Sequence, residues 1–226
     1  ADGDWLDAFS RGLAGLADHH GMALVGGDTT RGPLTVTVQA LGRLDGPALC
    51  RSGARPGDRI LVSGTLGDAA LGLGLWQAGE VADADSRWLA DRLHRPTPRV
   101  ALGRAMAAVA HAGIDVSDGL LSDLGHVCRR SAVGAVVRAQ LLPLSPPLLG
   151  CRDPAEARRL ALTGGDDYEL CLALPGESVD RALDIAAGLG VALTEVGRVV
   201  AGQGVTVLDE LGEPLALGPG YRHFGP

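Results

Sequence analysis

The chain has 226 residues, 46% of them apolar but only 3% aromatic, with 34 glycines and a formal charge of −7 at neutral pH. That length allows a large core in one or two domains, built here mainly from Ala, Val and Leu with many tight turns. The acidity disfavours a general nucleic-acid surface. No apolar run reaches the length of a membrane span, and the acidic start ADGDWLDAF is unlike a secretory signal, so a cytoplasmic location is expected.

In chain order, Trp5, Leu6, Phe9, Leu13 and Leu16 recur at helical spacing and predict an opening amphipathic helix. MALVGGD reads as a buried strand reaching a glycine turn, and PLTVTVQALGRL as an alternating strand. DGPALCRSGARPGD holds no long periodic segment and is expected to connect two domains. A new unit begins with the strand RILVSG and the helix TLGDAALGLGLWQAG. Helices are predicted around SRWLADRLHR and PRVALGRAMAAVAHA, punctuated by Pro96 and Pro98. GIDVSDGLLSDL should be strand, turn and helix, followed by a strand at GAVVRAQLL, a Pro-rich loop at LPLSPPLLG and a helix at PAEARRLAL. The strand YELCLALP, the helix SVDRALDIAAGLG and the strands TEVGRVV and GVTVLDE complete the pattern. Such alternation places the chain in the α/β or α+β class.

All 20 basic residues other than histidine are arginine, so no lysine can serve a P-loop. The four cysteines lack any C-x-x-C pair, and reduced, mostly buried thiols are expected.

Three segments concentrate acids in apolar surroundings. In GIDVSDGLLSDL, Ser117 or Asp118 can cap the following helix, but Asp115, between Ile114 and Val116, needs another reason. Carboxylates at the carboxyl end of a strand, opposite a helix N-terminus, sit where α/β proteins bind ligands. Two so close repel unless a cation lies between them, so Asp115 and Asp118 are candidate metal ligands; Asp123 is expected on the surface. In VGGDTTRG, Gly26 and Gly27 allow close approach to Asp28, with Thr29, Thr30 and Arg31 as phosphate donors, or the segment is an ordinary glycine turn. Arg51 and Arg55 are either surface charges or the cations a lysine-free phosphate site requires. VSGTLGDAALGL has the outline of a phosphate cradle without its lysine, and Asp68 reads as a cap. LTGGDDYELCLAL places Asp166 and Asp167 in a turn and Glu169 inside a strand, where an unpaired buried charge is costly. GGDDY also resembles the signature of cyclic-dinucleotide synthases, whose upstream metal and nucleotide residues have no counterpart here. Tyr221, His223 and Phe224 gather near the C-terminus as a hydrophobic latch or a stacking surface.

As an ordered series, GGDTTRG, RSGARPGD, VSGTLGD, DVSDGLLSDL, TGGDDYEL and GYRHF resemble the thiamine-monophosphate kinases, in the superfamily of aminoimidazole ribonucleotide and selenophosphate synthetases. The resemblance runs from Trp5 to Phe224. It implies a PurM-like α/β fold with mixed sheets, with residues 1–45 as the tail of an amino-terminal ATP-binding and dimerisation domain and 46–226 as the complete carboxy-terminal domain. It also implies Mg²⁺-assisted, in-line phosphoryl transfer from ATP to thiamine monophosphate. Carried over by motif, Gly27, Asp28, Arg51 and Ser117 would contact ATP, and Asp28, Asp115 and Asp118 would hold magnesium. Asp166, Glu169 and Tyr221 match substrate-binding positions, with the choice among Asp166, Asp167 and Glu169 open because Asp166 stands where the family commonly has Glu. No catalytic group beyond the metal clamp is implied, nor any nucleic-acid or membrane partner. A homodimer is expected at full length. Members begin before this chain does, so an exposed apolar face and an inactive isolated module are the competing expectation, and a related synthetase is the alternative within the superfamily.

Overall fold

The computed structural model describes residues 2–44 and 46–215, which divide into two compact units, Ala1–Arg43 and Leu44–Pro226. In the first, helix α1 (Gly3–His19) starts where the Asp2 carboxylate accepts the Trp5 N–H at 2.8 Å, and Trp5 stacks on Phe9 with centroids 5.3 Å apart. The two strands expected at 22–44 are not formed: those residues carry no regular secondary structure in the described chain. A strand is stabilised by neighbours that take its hydrogen bonds and cover its apolar face, and this unit supplies neither. Leu24, Val25 and Leu41 accordingly stand 78%, 89% and 82% exposed.

The second unit is a mixed six-stranded sheet covered on both faces. Its strands are β1 (Arg59–Ser63), β2 (Ala112–Val116), β3 (Gly134–Arg138), β4 (Glu169–Leu174), β5 (Leu193–Val200) and β6 (Gly204–Leu208). They lie in the order β2-β4-β1-β5-β3-β6, antiparallel throughout except for the parallel β3–β6 pair. The helices are α2 (Asp68–Ala78), α3 (Ala84–His94), α4 (Val100–Met106), α5 (Leu120–Ser131), α6 (Pro146–Cys151), α7 (Pro154–Thr163) and α8 (Val179–Gly188).

Side-chain alternation along the central strands builds two cores. Ile60 and Val62 of β1, with Cys171 and Ala173 of β4, pack on the side of α5 and α7 with Leu120, Leu124 and Leu162. Leu61, Leu172 and Leu174 point the other way, against Leu102 and Met106 of α4 and Ala182 and Ala186 of α8. Small residues on α8 let it lie close to a sheet whose own residues are bulky. A third cluster joins α2, α3, α6 and α7 through Leu71, Leu75, Leu89, Leu148 and Ala157.

Three local expectations change. The Pro-rich loop contains α6, because Ser145 accepts the Leu148 N–H while Pro146 occupies the first turn, where a missing N–H costs nothing. The strand at GAVVRAQLL ends at Arg138 and gives way to a short 3₁₀ turn over Ala139–Leu141. The helix expected through residue 112 stops at Met106. All four cysteines are free, with Cys128 and Cys171 buried, Cys151 partly so and Cys50 exposed. No described helix is long and apolar enough to cross a membrane.

Candidate functional site

Strand β2 ends at Val116, and the chain turns through Ser117, Asp118 and Gly119 into α5. Antiparallel pairing sets Val116 opposite Glu169 and Asp115 opposite Leu170, so this turn lies against the turn that precedes β4. The two loops are joined by their backbones: Asp166 N–H donates to Ser117 C=O at 2.9 Å, and Tyr168 N–H to Val116 C=O at 2.8 Å. Glycine makes the approach possible. A Cβ at Gly119 would sit 2.9 Å from the Thr163 carbonyl carbon, and one at Gly165 would strike the Ser117 oxygen. Asp166 and Tyr168 both hold left-handed backbone, at φ 68° and 52°. That conformation is tolerable for Asp and costs a larger side chain about 1–2 kcal/mol.

The acids of these loops divide sharply in role. Asp167 turns inward, where its carboxylate accepts the N–H groups of Gly67 and Ala69 at 2.6 and 3.2 Å. These are orphan donors of the α2 N-terminus, so the cradle outlined by VSGTLGD is filled by the protein's own carboxyl group. Burial pushes the Asp167 carboxyl up to about 7, against the pull of those two N–H groups. Asp68 is not a cap either. It is fully buried and accepts the hydroxyls of Thr65 and Ser145 at 2.5 Å each, while burial raises its pKa.

Glu169 is 1% exposed and held by four donors. Arg99 forks onto it at 2.7 Å through both Nε and an Nη, Arg92 adds 3.0 Å and Ser63 2.6 Å. Burial would raise this carboxyl, but the hydrogen bonds from Arg99 and Ser63 and both arginine charges bring it below its ordinary value. Asp123, expected on the surface, is 3% exposed. It reaches back to accept the N–H groups of Ser117 and Asp118 at 3.0 and 2.9 Å, holding the turn in place of the expected Ser117 or Asp118 cap. Neither Asp123 nor the arginine partners of Glu169 carry a local sequence signal, because each acts on groups brought near only by folding.

What remains facing outward is Asp115, Asp118 and Asp166, gathered around Tyr168. Burial raises the Tyr168 hydroxyl pKa, and the charges of Asp166, Asp115 and Asp118 add to it; the hydroxyl also lies 3.3 Å from Asp166. Burial likewise raises Asp123, with Asp118 and Asp115 contributing by repulsion. A mainly apolar cavity of about 440 Å³ opens beside this group, walled by Pro96, Pro98, Val100, Asp115, Tyr168 and Leu170. Among the described residues no three His, Cys, Asp or Glu side chains converge tightly enough to hold an ion unaided.

The other candidates lie elsewhere. Gly27 and Asp28 are exposed in the first unit, where the Asp28 carboxylate accepts the Thr29 N–H at 2.8 Å and a Cβ at Gly27 would meet nothing within 4 Å. Arg51 is exposed on a loop beside β2, and Tyr221, His223 and Phe224 lie outside the described residues.

Comparison with known proteins bears on the family and the fold. Residues 55–210 match the family of the AIR synthase related protein, C-terminal domain, and residues 1–44 its N-terminal domain. The thiamine-monophosphate kinase of Escherichia coli K12 is 47% identical over 99% of this chain and 70% of its own length. The crystal structure of the thiamine-monophosphate kinase from Stenotrophomonas maltophilia K279a superposes with a TM-score of 0.84 at 48% identity, covering 92% of this chain and 68% of the other. A solved complex of AaThiL with AMPPCP and TMP aligns at a TM-score of 0.66 and 36% identity, over 78% of this chain and 54% of the other. By its sequence and by its fold, the chain belongs to the thiamine-monophosphate kinase family of AIR synthase related proteins.

Proposed function

We propose that this protein transfers the γ-phosphate of ATP to thiamine monophosphate, giving thiamine diphosphate. The observation that carries the reading is the backbone junction of the two motif loops, which leaves Asp115, Asp118 and Asp166 outward while Asp123, Asp167 and Glu169 are held inside. Membership of the kinase family supports it.

Asp115 and Asp118 are the residues we assign to magnesium, and Asp28 is assigned to it by motif alone. Carboxylate oxygens are the donors this hard cation takes, and it is commonly held by one or two carboxylates with phosphate oxygens and water completing its shell. A pair of outward carboxylates that does not close a cage by itself fits that habit. A cation held by these residues would supply charge neutralisation for the phosphates. Ser117, Gly27 and Arg51 are assigned to the nucleotide.

Of the three acids in TGGDDYEL, Asp166 is the one left to meet substrate, since Asp167 and Glu169 are buried in bonds of their own. Tyr168 and the adjoining apolar cavity offer a flat surface for a heterocycle. Tyr221 is assigned to substrate by motif alone. The apolar residues exposed at 22–44 suit a homodimer interface.

The test is ATP-dependent formation of thiamine diphosphate by the full-length protein, followed by chromatography. Asp166→Ala should raise the KM for thiamine monophosphate about tenfold or more, the loss of one charged hydrogen-bond partner, and leave the KM for ATP nearly unchanged. An equal effect on both substrates would overturn the assignment of Asp166, and absence of turnover in the unaltered protein would overturn the kinase reading.

A further inference from the structure

Helix α5 presents a second chemical character at its far end. Ser122, His126 and Arg130 follow Asp118 at four-residue intervals, so they form one stripe along the helix. The stripe starts at the outward carboxylates and ends against the Arg51 loop. There a cavity of about 410 Å³ is lined by Cys50, Arg51, Ser52, His126 and Arg130, with no acid in its wall. In a chain of net charge −7 this is an unusual grouping.

Three details make it more than a chance meeting of surface residues. The Arg51 loop is tied down on both sides. Ser131 Oγ accepts the N–H groups of Gly53 and Ala54 at 3.1 and 3.2 Å and donates to the Arg51 carbonyl, while the Cys50 carbonyl accepts the Gly113 N–H at 2.9 Å. Arg51 and Arg130 are both exposed, with no hydrogen-bond or ion-pair partner for their side chains among the described residues, so both charges are open to a ligand in the cavity they line. Finally, Arg129 lies 3.0 Å from His126 Nδ1. A guanidinium can only donate, so Nδ1 accepts and the ring proton sits on Nε2 as a donor.

We infer that Arg51, His126 and Arg130 form an anion pocket that grips the phosphate chain of the nucleotide at the end remote from the carboxylates. Helix α5 rises about 9 Å from Leu120, two residues after Asp118, to His126, a separation that the arginine and imidazole side chains shorten to the scale of a polyphosphate. Two guanidiniums and an imidazole N–H supply the charge-assisted donors such a group needs. The carboxylate end engages the same ligand only with a cation present, so the helix offers one metal-dependent and one metal-independent grip. His126 and Arg130 thus extend the nucleotide site beyond the residues assigned above, and the inference rests on that assignment for the identity of the ligand.

Pyrophosphate titration in the presence of a chelator isolates the basic pocket, because the bare carboxylates repel an anion. Calorimetry of the full-length protein should show weak, salt-sensitive binding. Arg130→Gln and His126→Gln should each weaken it by about tenfold to a hundredfold, Arg130→Lys less, and Asp115→Asn not at all. ATP should weaken in parallel, while adenosine should not respond. No pyrophosphate binding, or equal binding by Arg130→Gln protein with native circular dichroism, would overturn the pocket. An effect on pyrophosphate without one on ATP would overturn the nucleotide assignment in favour of a free-anion site. Failure of the kinase reading shows separately, as absent turnover with the pyrophosphate result intact.

Discussion

Replacing Glu169 by Gln changes one atom type and almost no volume, yet it should be among the most destabilising substitutions in the second unit. Among the described residues its carboxylate is the only negative group bonded to Arg99, through contacts of 2.7 Å from Nε and 2.7 Å from Nη, and it also takes the 3.0 Å bond from Arg92. The two arginine side chains are only 18% and 13% exposed, so water cannot replace the lost charge. A glutamine would keep one acceptor oxygen and turn its amide N–H groups toward donors already there. Removing one partner of a buried pair costs about 3–5 kcal/mol; the residual exposure of the arginines favours the lower end, near 3. For a unit of this size that corresponds to a Tm lowered by roughly 6–12 °C. Urea unfolding followed by circular dichroism gives the comparison directly. Arg99→Gln should cost a similar amount, and the double substitution less than the sum. A loss below about 1 kcal/mol for Glu169→Gln would refute the claim that this network is dry and tightly coupled. Acid adds a second check with a defined sign. Because the folded carboxyl lies below its ordinary value, its contribution is present above the unfolded pKa of 4.5 and disappears as pH falls through the folded value; the Gln variant should lack that acid-dependent component.

Asp167 should behave in the opposite sense. Its carboxyl is raised to about 7 by burial, so the folded state keeps a proton that the unfolded state releases above 3.8, and stability falls as pH rises through that window. The upper bound is on the order of 4 kcal/mol. Asp167→Asn should flatten the curve between pH 3.8 and about 7, and a difference between wild type and variant that stays constant with pH would sink the idea. Gly64→Ala tests the same network from its other side. Gly64 has φ 60°, and an added Cβ would strike the Glu169 carboxylate. The strained backbone and the displaced ion pair together should cost about 3 kcal/mol or more, read as a lower urea midpoint; an unchanged midpoint would mean that the loop relaxes freely.

Features whose causes are local were legible in the amino-acid order. Alternating residues in RILVS and ELCLAL place Ile60 and Leu61, or Cys171 and Leu172, on opposite faces whatever the neighbours are. Asp153 followed by Pro154 starts α7 by a bond to the next N–H groups, and Asp83 with Ser86 closes a capping box for α3. The motif order was enough to identify the family, and apolar surroundings singled out Asp115, Asp118 and Glu169 as chemically expensive acids, with the choice among Asp166, Asp167 and Glu169 for substrate left open. Tertiary structure alone decided which acids are available. Asp166 and Asp167 are neighbours of one residue type, yet one faces solvent and the other fills a helix end a hundred residues away. Asp123 looked like surface because its partners, the N–H groups of Ser117 and Asp118, become donors only when the turn folds back on the helix. Glu169 belongs to Arg92 and Arg99, partners that no spacing rule links to it. PLTVTVQALGRL has the alternation of a strand, but pairing is a property of two segments and not of one. A propensity or a cap is satisfied within four residues, whereas a buried charge or a strand edge is satisfied only by whatever the rest of the chain brings beside it.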